Sequence, residues 1–288
     1  MLDTVFRLPY QVTPGAKHAA IGLDSLVGGP AANAAAAIVA LGGSAVLISK
    51  VGTDAAGAVV ISTLERGGID TGGVRRVDGP TSQSAVVVDD AGERTIANHT
   101  PSAITDTTDL PVVSDIEGSD SVLVDARWSS GAERVVAIAR DLGVPCLADI
   151  DLVDNVDVAP IITGATHVVF SRAALATLTG ISDDEGGLRK IARTTSAFVG
   201  VTMGDEGFSW IEQDEWRNVP AIDVPVVDTN GAGDVFHGAF ALGLAEGLEP
   251  WDIITMANAA AAHVCMGGSG SQRFASRQDV DRLLEGST

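Results

Sequence analysis

Asp228-Thr229-Asn230-Gly231-Ala232-Gly233-Asp234 runs without a break into Val235-Phe236-His237-Gly238-Ala239-Phe240. Three small residues stand before the second of two carboxylates, where an apolar, helix-forming run begins. Small residues let the backbone turn tightly and leave its N–H groups accessible. At a helix N-terminus the first N–H groups lack intrahelical partners and the macrodipole is positive, so such a turn suits an anion, typically phosphate. Asp234 sits in the first turn, where a carboxylate repels a bound phosphate. A loop that only binds phosphate has no use for it. A loop that transfers a phosphoryl group does: the carboxylate takes a proton from an attacking hydroxyl while the N–H groups of Gly231, Ala232 and Gly233 hold the developing charge. The plainer alternative is a helix N-terminus whose acidic residue is favoured by the dipole. The dinucleotide-binding pattern lacks its third glycine here, and the P-loop lacks its Lys-Ser/Thr pair.

Upstream of this stretch the pattern alternates. Strands read at 45–51, 121–125, 144–149, 167–171 and 197–202, and helices at 31–41, 55–66, 132–142, 172–179 and 185–195. Strands apolar nearly throughout, alternating with helices, predict a parallel sheet covered on both faces, with ligands beyond the carboxyl ends of the strands. Two segments fall outside that rhythm. Residues 18–27 are strand-like, and 82–100 read as a hairpin turning at Asp89-Asp90-Ala91-Gly92. A second hairpin reads at 206–216, and the tail is helical at 232–246, 251–266 and 278–285.

The 288 residues suffice for one large α/β domain or two small ones, and 45% hydrophobic residues permit a sizeable core. The absence of any linker or internal repeat favours one domain spanning 1–288 with an inserted lid. A net charge of −20 argues against nucleic acid or an anionic membrane as partner. Cys146 and Cys265 lie in apolar surroundings and read as buried thiols. Residues 25–49 carry no charge, but Gly42-Gly43 splits them, so helix then strand is expected rather than a membrane span. No basic, apolar leader opens the chain, and a cytoplasmic location is the expectation.

Asp228 to Ala241 resembles the C-terminal signature of the ribokinase-like, or PfkB-type, carbohydrate kinases. Gly28-Gly29-Pro30-Ala31-Ala32-Asn33, followed by an Ala-rich helix, Gly42 and Gly52, resembles the family's other signature. The resemblance covers nearly the whole chain. It implies a ribokinase-like three-layer α/β/α sandwich with a mostly parallel central sheet and a small β-sheet lid, its strands from about 14–28 and 81–100. It also implies homodimerisation through that lid, and ATP and Mg2+, with a monovalent cation such as K+ as a further candidate. Family members begin with a full core strand before the residue matching Asp3, so a start further upstream is expected.

By the same resemblance Asp3 and Asn33 bind the sugar, Thr202, Gly204 and Gly207 form the nucleotide loop, and Asn258 lies near the adenine. Each has a plainer alternative: a solvated terminal acid, a helix cap, a strand-to-hairpin turn and a helix–helix hydrogen bond. The family's Asn-x-x-Glu is replaced by Ser171-Arg172-Ala173-Ala174, which leaves the metal ligands undefined. Arg127, at a strand end in a strongly acidic chain, is either a partner for a neighbouring acid or a bidentate donor to an anion. With Ser82-Gln83-Ser84, Asn98-His99 and His237 it resembles the sulfofructose kinase subgroup, which implies Gly28, Gly29, Asn98 and Arg127 around a sulfonate. Phosphorylation at O1 of 6-deoxy-6-sulfofructose is then the expected reaction. Another kinase of the family, or a catalytically silent sugar-binding regulator, stands as the alternative.

Overall fold

The computed structural model describes residues 1–13, 15–91, 93–152, 156–267 and 273–286. The chain opens with strands β1 (Leu2–Arg7) and β2 (Gly22–Val27), then α1 (Pro30–Ala40), β3 (Ser49–Gly52), α2 (Ala55–Arg66) and β4 (Val74–Val77). The hairpin β5 (Gln83–Val88) and β6 (Arg94–His99) leads through the short α3 (Ser102–Thr105) to the βα units. These are β7 (Val122–Asp125), α4 (Ser129–Leu142), β8 (Cys146–Ile150), α5 (Ala159–Gly164), β9 (His167–Ser171), α6 (Arg172–Thr179), α7 (Asp184–Ala192) and β10 (Phe198–Thr202). A second hairpin, β11 (Phe208–Glu212) and β12 (Glu215–Val219), precedes the helices α8 (Ala232–Ala245), α9 (Pro250–Cys265) and α10 (Arg277–Gly286).

Strands β7 to β10 are parallel, and β11 and β12 extend them antiparallel, in the order β12-β11-β10-β9-β8-β7. Strand side chains alternate between faces, and the core follows that rule. Cys146, Ala148 and Ile150 pack with α4 to α7, whereas Leu147 packs under α1, α8 and α9. Val124, Phe170 and Val201 also belong to the α4–α7 side. Their neighbours Asp125, Asp149, Ser171 and Thr202, at the carboxyl ends of four successive strands, therefore point to the α8 side. Register tightens the group, pairing Asp125 with Asp149 and Ser171 with Thr202.

What fixes α8 against the sheet is aromatic. Phe236 and Phe240 lie over Phe208, with ring centroids 5.0 and 6.2 Å apart; such pairs contribute about 0.5–1.5 kcal/mol each beyond burial. On its other flank α8 meets α1 so closely that a Cβ on Gly238 would lie 2.5 Å from the Ala34 carbonyl oxygen. The glycine of one signature and the alanines of the other are thus a single packing device.

The lid is a four-stranded sheet ordered β2-β1-β5-β6, with β1 antiparallel to β2 and parallel to β5. It adds Leu2–Arg7 to the lid strands expected over about 14–28 and 81–100. Val5 is buried on one face while Phe6 stands 36% exposed on the other, the alternation of a paired strand. Residue 14, at the expected edge of the lid, and Gly92, in the expected turn, lie outside the described residues.

The strand expected over 45–51 is shorter. Only Ser49–Gly52 forms a ladder, with β4, and Val46 makes one isolated bridge to Asp70. The two strands form a sheet of their own, separated from β7 by a cavity of about 410 Å³ lined by Leu47, Ser49, Val122 and Val124. With a partner on one side only, 45–48 drops out of the ladder. Lys50 bridges the gap: its buried Nζ lies 2.5 Å from Asp106 Oδ1 and 4.7 Å from the ring centroid of Trp128. No helix among the described residues is long and apolar enough to cross a membrane.

Candidate active site

Gly231 caps α8 at φ 77°, a left-handed conformation that glycine adopts freely. A Cβ there would sit 2.8 Å from Arg273 Nη2 and 3.3 Å from Asn33 Nδ2. The turn can therefore be made only where those two side chains close in. Gly233 has open space around it. Among the described residues the N–H groups of Gly231 and Gly233 make no backbone hydrogen bond, whereas that of Ala232 donates to Thr229 O at 3.2 Å. This corrects the sequence reading: Ala232 supplies the small side chain but not a bare donor, because the turn that presents its neighbours engages its own N–H.

Asn33 is buried and does not cap α1; Gly29, at φ 103°, occupies the cap position without a side-chain bond. Instead Asn33 Nδ2 donates to Asp234 Oδ2 at 2.7 Å. The two signatures, 201 residues apart in sequence, meet in that bond. Burial pushes the Asp234 carboxyl above its ordinary range, against the Asn33 bond and the positive charges of Arg127 and Arg273. A carboxyl so placed is a better base than an exposed aspartate.

Asp234 lines a cavity of about 120 Å³ with Asp125, Arg127, Asp149, Asp151, Ser171, Thr202, Gly233 and His237. Ser171, in place of the family's Asn, caps α6 by accepting from Ala174 N–H and donates to Asp151 Oδ1 at 2.9 Å. Arg127 is held through its backbone, whose N–H donates to Asp125 Oδ1 at 2.8 Å. Among the described residues no carboxylate lies within ion-pair distance of its guanidinium, so the neighbouring-acid alternative is not realised there. Asp149 and His237 are buried in the cavity wall, the imidazole Nδ1 3.4 Å from Asp149 Oδ2. Among the described residues no group of three or more His, Cys, Asp or Glu could hold a metal ion.

The lid side is built differently. Gly28 is pressed against Asp3, whose Oδ2 would lie 2.2 Å from an added Cβ. Asp3 Oδ1 is buried with no hydrogen-bond partner. A buried carboxylate oxygen without a donor calls for one, and a ligand hydroxyl is such a donor. Register sets Asp3, Ser84 and Asn98 in one row across three strands, with Asn98 exposed.

Of the proposed nucleotide residues, Thr202 lines the Asp234 cavity, but Gly204, Gly207 and Asn258 do not. Gly207 passes so close to β12 that a Cβ would lie 2.2 Å from Val219 O. Asn258 Nδ2 donates to Val219 O and Pro220 O, tying α9 to the end of β12 rather than to another helix. Sequence reasoning missed Arg273, whose Nη2 donates to Asn230 O at 2.9 Å and whose charge reaches Asp234. Its place beyond α9 gave no local signal. Asp149 sits in an apolar strand and gave no local signal either.

A covered parallel sheet, with a lid and a glycine turn facing one carboxylate, is the layout of the ribokinase-like fold. A crystal structure of a candidate ribokinase from Agrobacterium tumefaciens superposes on the chain with a TM-score of 0.92 at 32% identity, covering 99% of this chain and 94% of that one. Fructokinase-1 of Zea mays is 31% identical over 236 residues, 74% of this chain and 72% of the maize protein. The bifunctional protein HldE of Magnetococcus marinus is 28% identical over 82% of this chain but 52% of its own length. The chain spans about half the length of such bifunctional relatives. The profile of the pfkB family carbohydrate kinases matches residues 7–273, and the chain belongs to that family.

Proposed function

We propose that the protein is an ATP-dependent sugar kinase that transfers the γ-phosphoryl group to a primary hydroxyl. The observation that carries this reading is the Asn33–Asp234 bond, which holds a carboxyl raised by burial against α1 at the N-terminus of α8. Asp234 accepts the hydroxyl proton as that oxygen attacks. The N–H groups of Gly231 and Gly233 and the guanidinium of Arg273 face the charge that develops on the transferring group. Asp3 and Asn33 orient the sugar, and the lid excludes water that would hydrolyse the nucleotide. Thr202 stands on the nucleotide side of Asp234. No cage for magnesium is built by the described residues. Magnesium would enter with the nucleotide, its charge met by phosphates and water.

Fructose and ribose, the substrates that the names of relatives suggest, are two acceptor classes. A specific observation favours a third. The guanidinium of Arg127 lacks a described ion-pair partner beside the cavity, in a chain of net charge −20. That supports an acceptor carrying an anionic group, with 6-deoxy-6-sulfofructose as the leading case. The test is ADP release from Mg-ATP with 6-deoxy-6-sulfofructose, fructose 6-phosphate, fructose and ribose in parallel. Preference for an anionic sugar supports both parts. Preference for a neutral one keeps the kinase and removes the role of Arg127, and silence on all four shifts the reading to a different acceptor or to the catalytically silent regulator.

A further inference from the structure

Four carboxyls converge where a polyphosphate has to approach. Asp125 comes from the end of β7, Asp149 and Asp151 from the end of β8, and Asp234 from α8. The cations facing them are Arg127 and Arg273. Four full negative charges in a space of about 120 Å³ would oppose any phosphate. Set into the same wall is His237, one helical turn after Asp234 and 4% exposed; among the described residues neither ring nitrogen makes a well-aligned hydrogen bond, although the Gly233 carbonyl lies near enough to act on the ring. A buried imidazole with two orphaned nitrogens is a costly arrangement. Its neighbour is Asp149, 8% exposed, at 3.4 Å from Nδ1. A closure of about half an ångström makes that contact a hydrogen bond.

Resting on the kinase reading above, we propose that Asp149 and His237 form a neutral hydrogen-bonded pair, the acid O–H donating to Nδ1, that positions the first turn of α8. Both groups are driven that way. Burial raises the Asp149 carboxyl well above its ordinary range, and the charges of Asp125, Asp234 and Asp151 raise it further, with Arg127 opposing. Burial pushes His237 down to about 4, with the Gly233 carbonyl and the Asp151 charge opposing. The protonated acid lowers the negative charge that faces the transferring phosphoryl group. The bond ties His237, and with it Asp234 and the Gly233 N–H on the preceding turn, to the sheet. Neither residue touches the reacting atoms: these are positioning residues.

Two measurements test the pair, and the first does not depend on turnover. In 15N NMR of the wild-type protein at pH 7, His237 is expected to show one protonated and one bare, hydrogen-bonded nitrogen, unchanged from pH 5.5 to 8. An imidazolium spectrum at pH 7 overturns the proposal whether or not the protein is a kinase. The second is kinetic. Asp149→Ala is expected to lower kcat about tenfold, the worth of one hydrogen bond that orients the base, with KM for ATP little changed. Asp149→Asn, which still donates to Nδ1, is expected to recover most of that loss. Equal damage from both variants means the carboxylate acts ionised, and the proposal fails. Where Asp149→Ala does not fold, the wild-type spectrum decides alone.

Discussion

Replacing Asn33 by Ala removes the one side-chain hydrogen bond on Asp234 among the described residues, and its effect can be worked from the geometry. Asn33 Nδ2 lies 2.7 Å from Asp234 Oδ2 in a part-buried setting. A hydrogen bond to a charged group contributes about 1.5–3 kcal/mol, so losing it should raise the Asp234 pKa further. The sign follows from the balance at the site: burial already raises this carboxyl, and Asn33 is the foremost influence holding it down. Water entering the space left by the amide restores part of the bond, which places the expectation near the lower end. The assay is the pH dependence of kcat/KM, whose acid limb reports the base of the free enzyme. That limb should move to higher pH, with activity recovered in alkaline buffer. An acid limb that stays in place while KM for the sugar rises would mean Asn33 serves the substrate alone, and would refute the coupling to Asp234.

Three further outcomes are expected. Arg127→Ala should weaken an anionic acceptor about tenfold to a hundredfold, from the loss of charge-assisted hydrogen bonds, and leave neutral fructose little affected; parallel KM values for the two sugars check it. At Lys50, whose side chain is fully buried against an exposed Asp106, removing the acid should lower the thermal midpoint more than Lys50→Met does. Asp106→Ala strands a buried charge, while Lys50→Met removes it. The Asp106 carboxyl is held down to about 2, chiefly by its hydrogen bond from Lys50, so its stabilisation is present above the ordinary carboxylate range and lost as pH falls toward 2; acid titration followed by circular dichroism shows this. Leu23, 63% exposed, and Ile96, 53% exposed, lie on the lid sheet. If the lid joins two copies, as the family resemblance implies, sedimentation gives twice the 29.4 kDa chain mass, and Leu23→Asp halves it.

How much of this was legible in the sequence depended on whether the signal was local. The α2 and α6 boundaries and β9 were read to the residue, because each has its own punctuation: Asp54 and Ser171 cap the helices, and Gly67 and Gly180 end them. The α8 turn was legible for the same reason, down to Gly231 and Asp234. What could not be read was long-range. Nothing in Asn33 announces Asp234, since its flanking glycine and proline suit a helix cap equally well. The shortening of β3 depends on which strand lies beside it, which no window of sequence contains. Lys50 reads as an ordinary charged residue near a strand end, and only the fold buries it. Ala232 failed as a donor because hydrogen bonds at a helix start are decided by the preceding turn, here Thr229.

The central claim is that Asp234 is the base of a phosphoryl-transfer reaction, and turnover of Asp234→Asn with Mg-ATP and the preferred sugar tests it most directly. Asparagine keeps the shape but cannot accept the proton, so kcat should fall about 10²–10⁴-fold while both substrates, measured by calorimetry, still bind. Turnover within a few-fold of the unchanged protein would contradict the account.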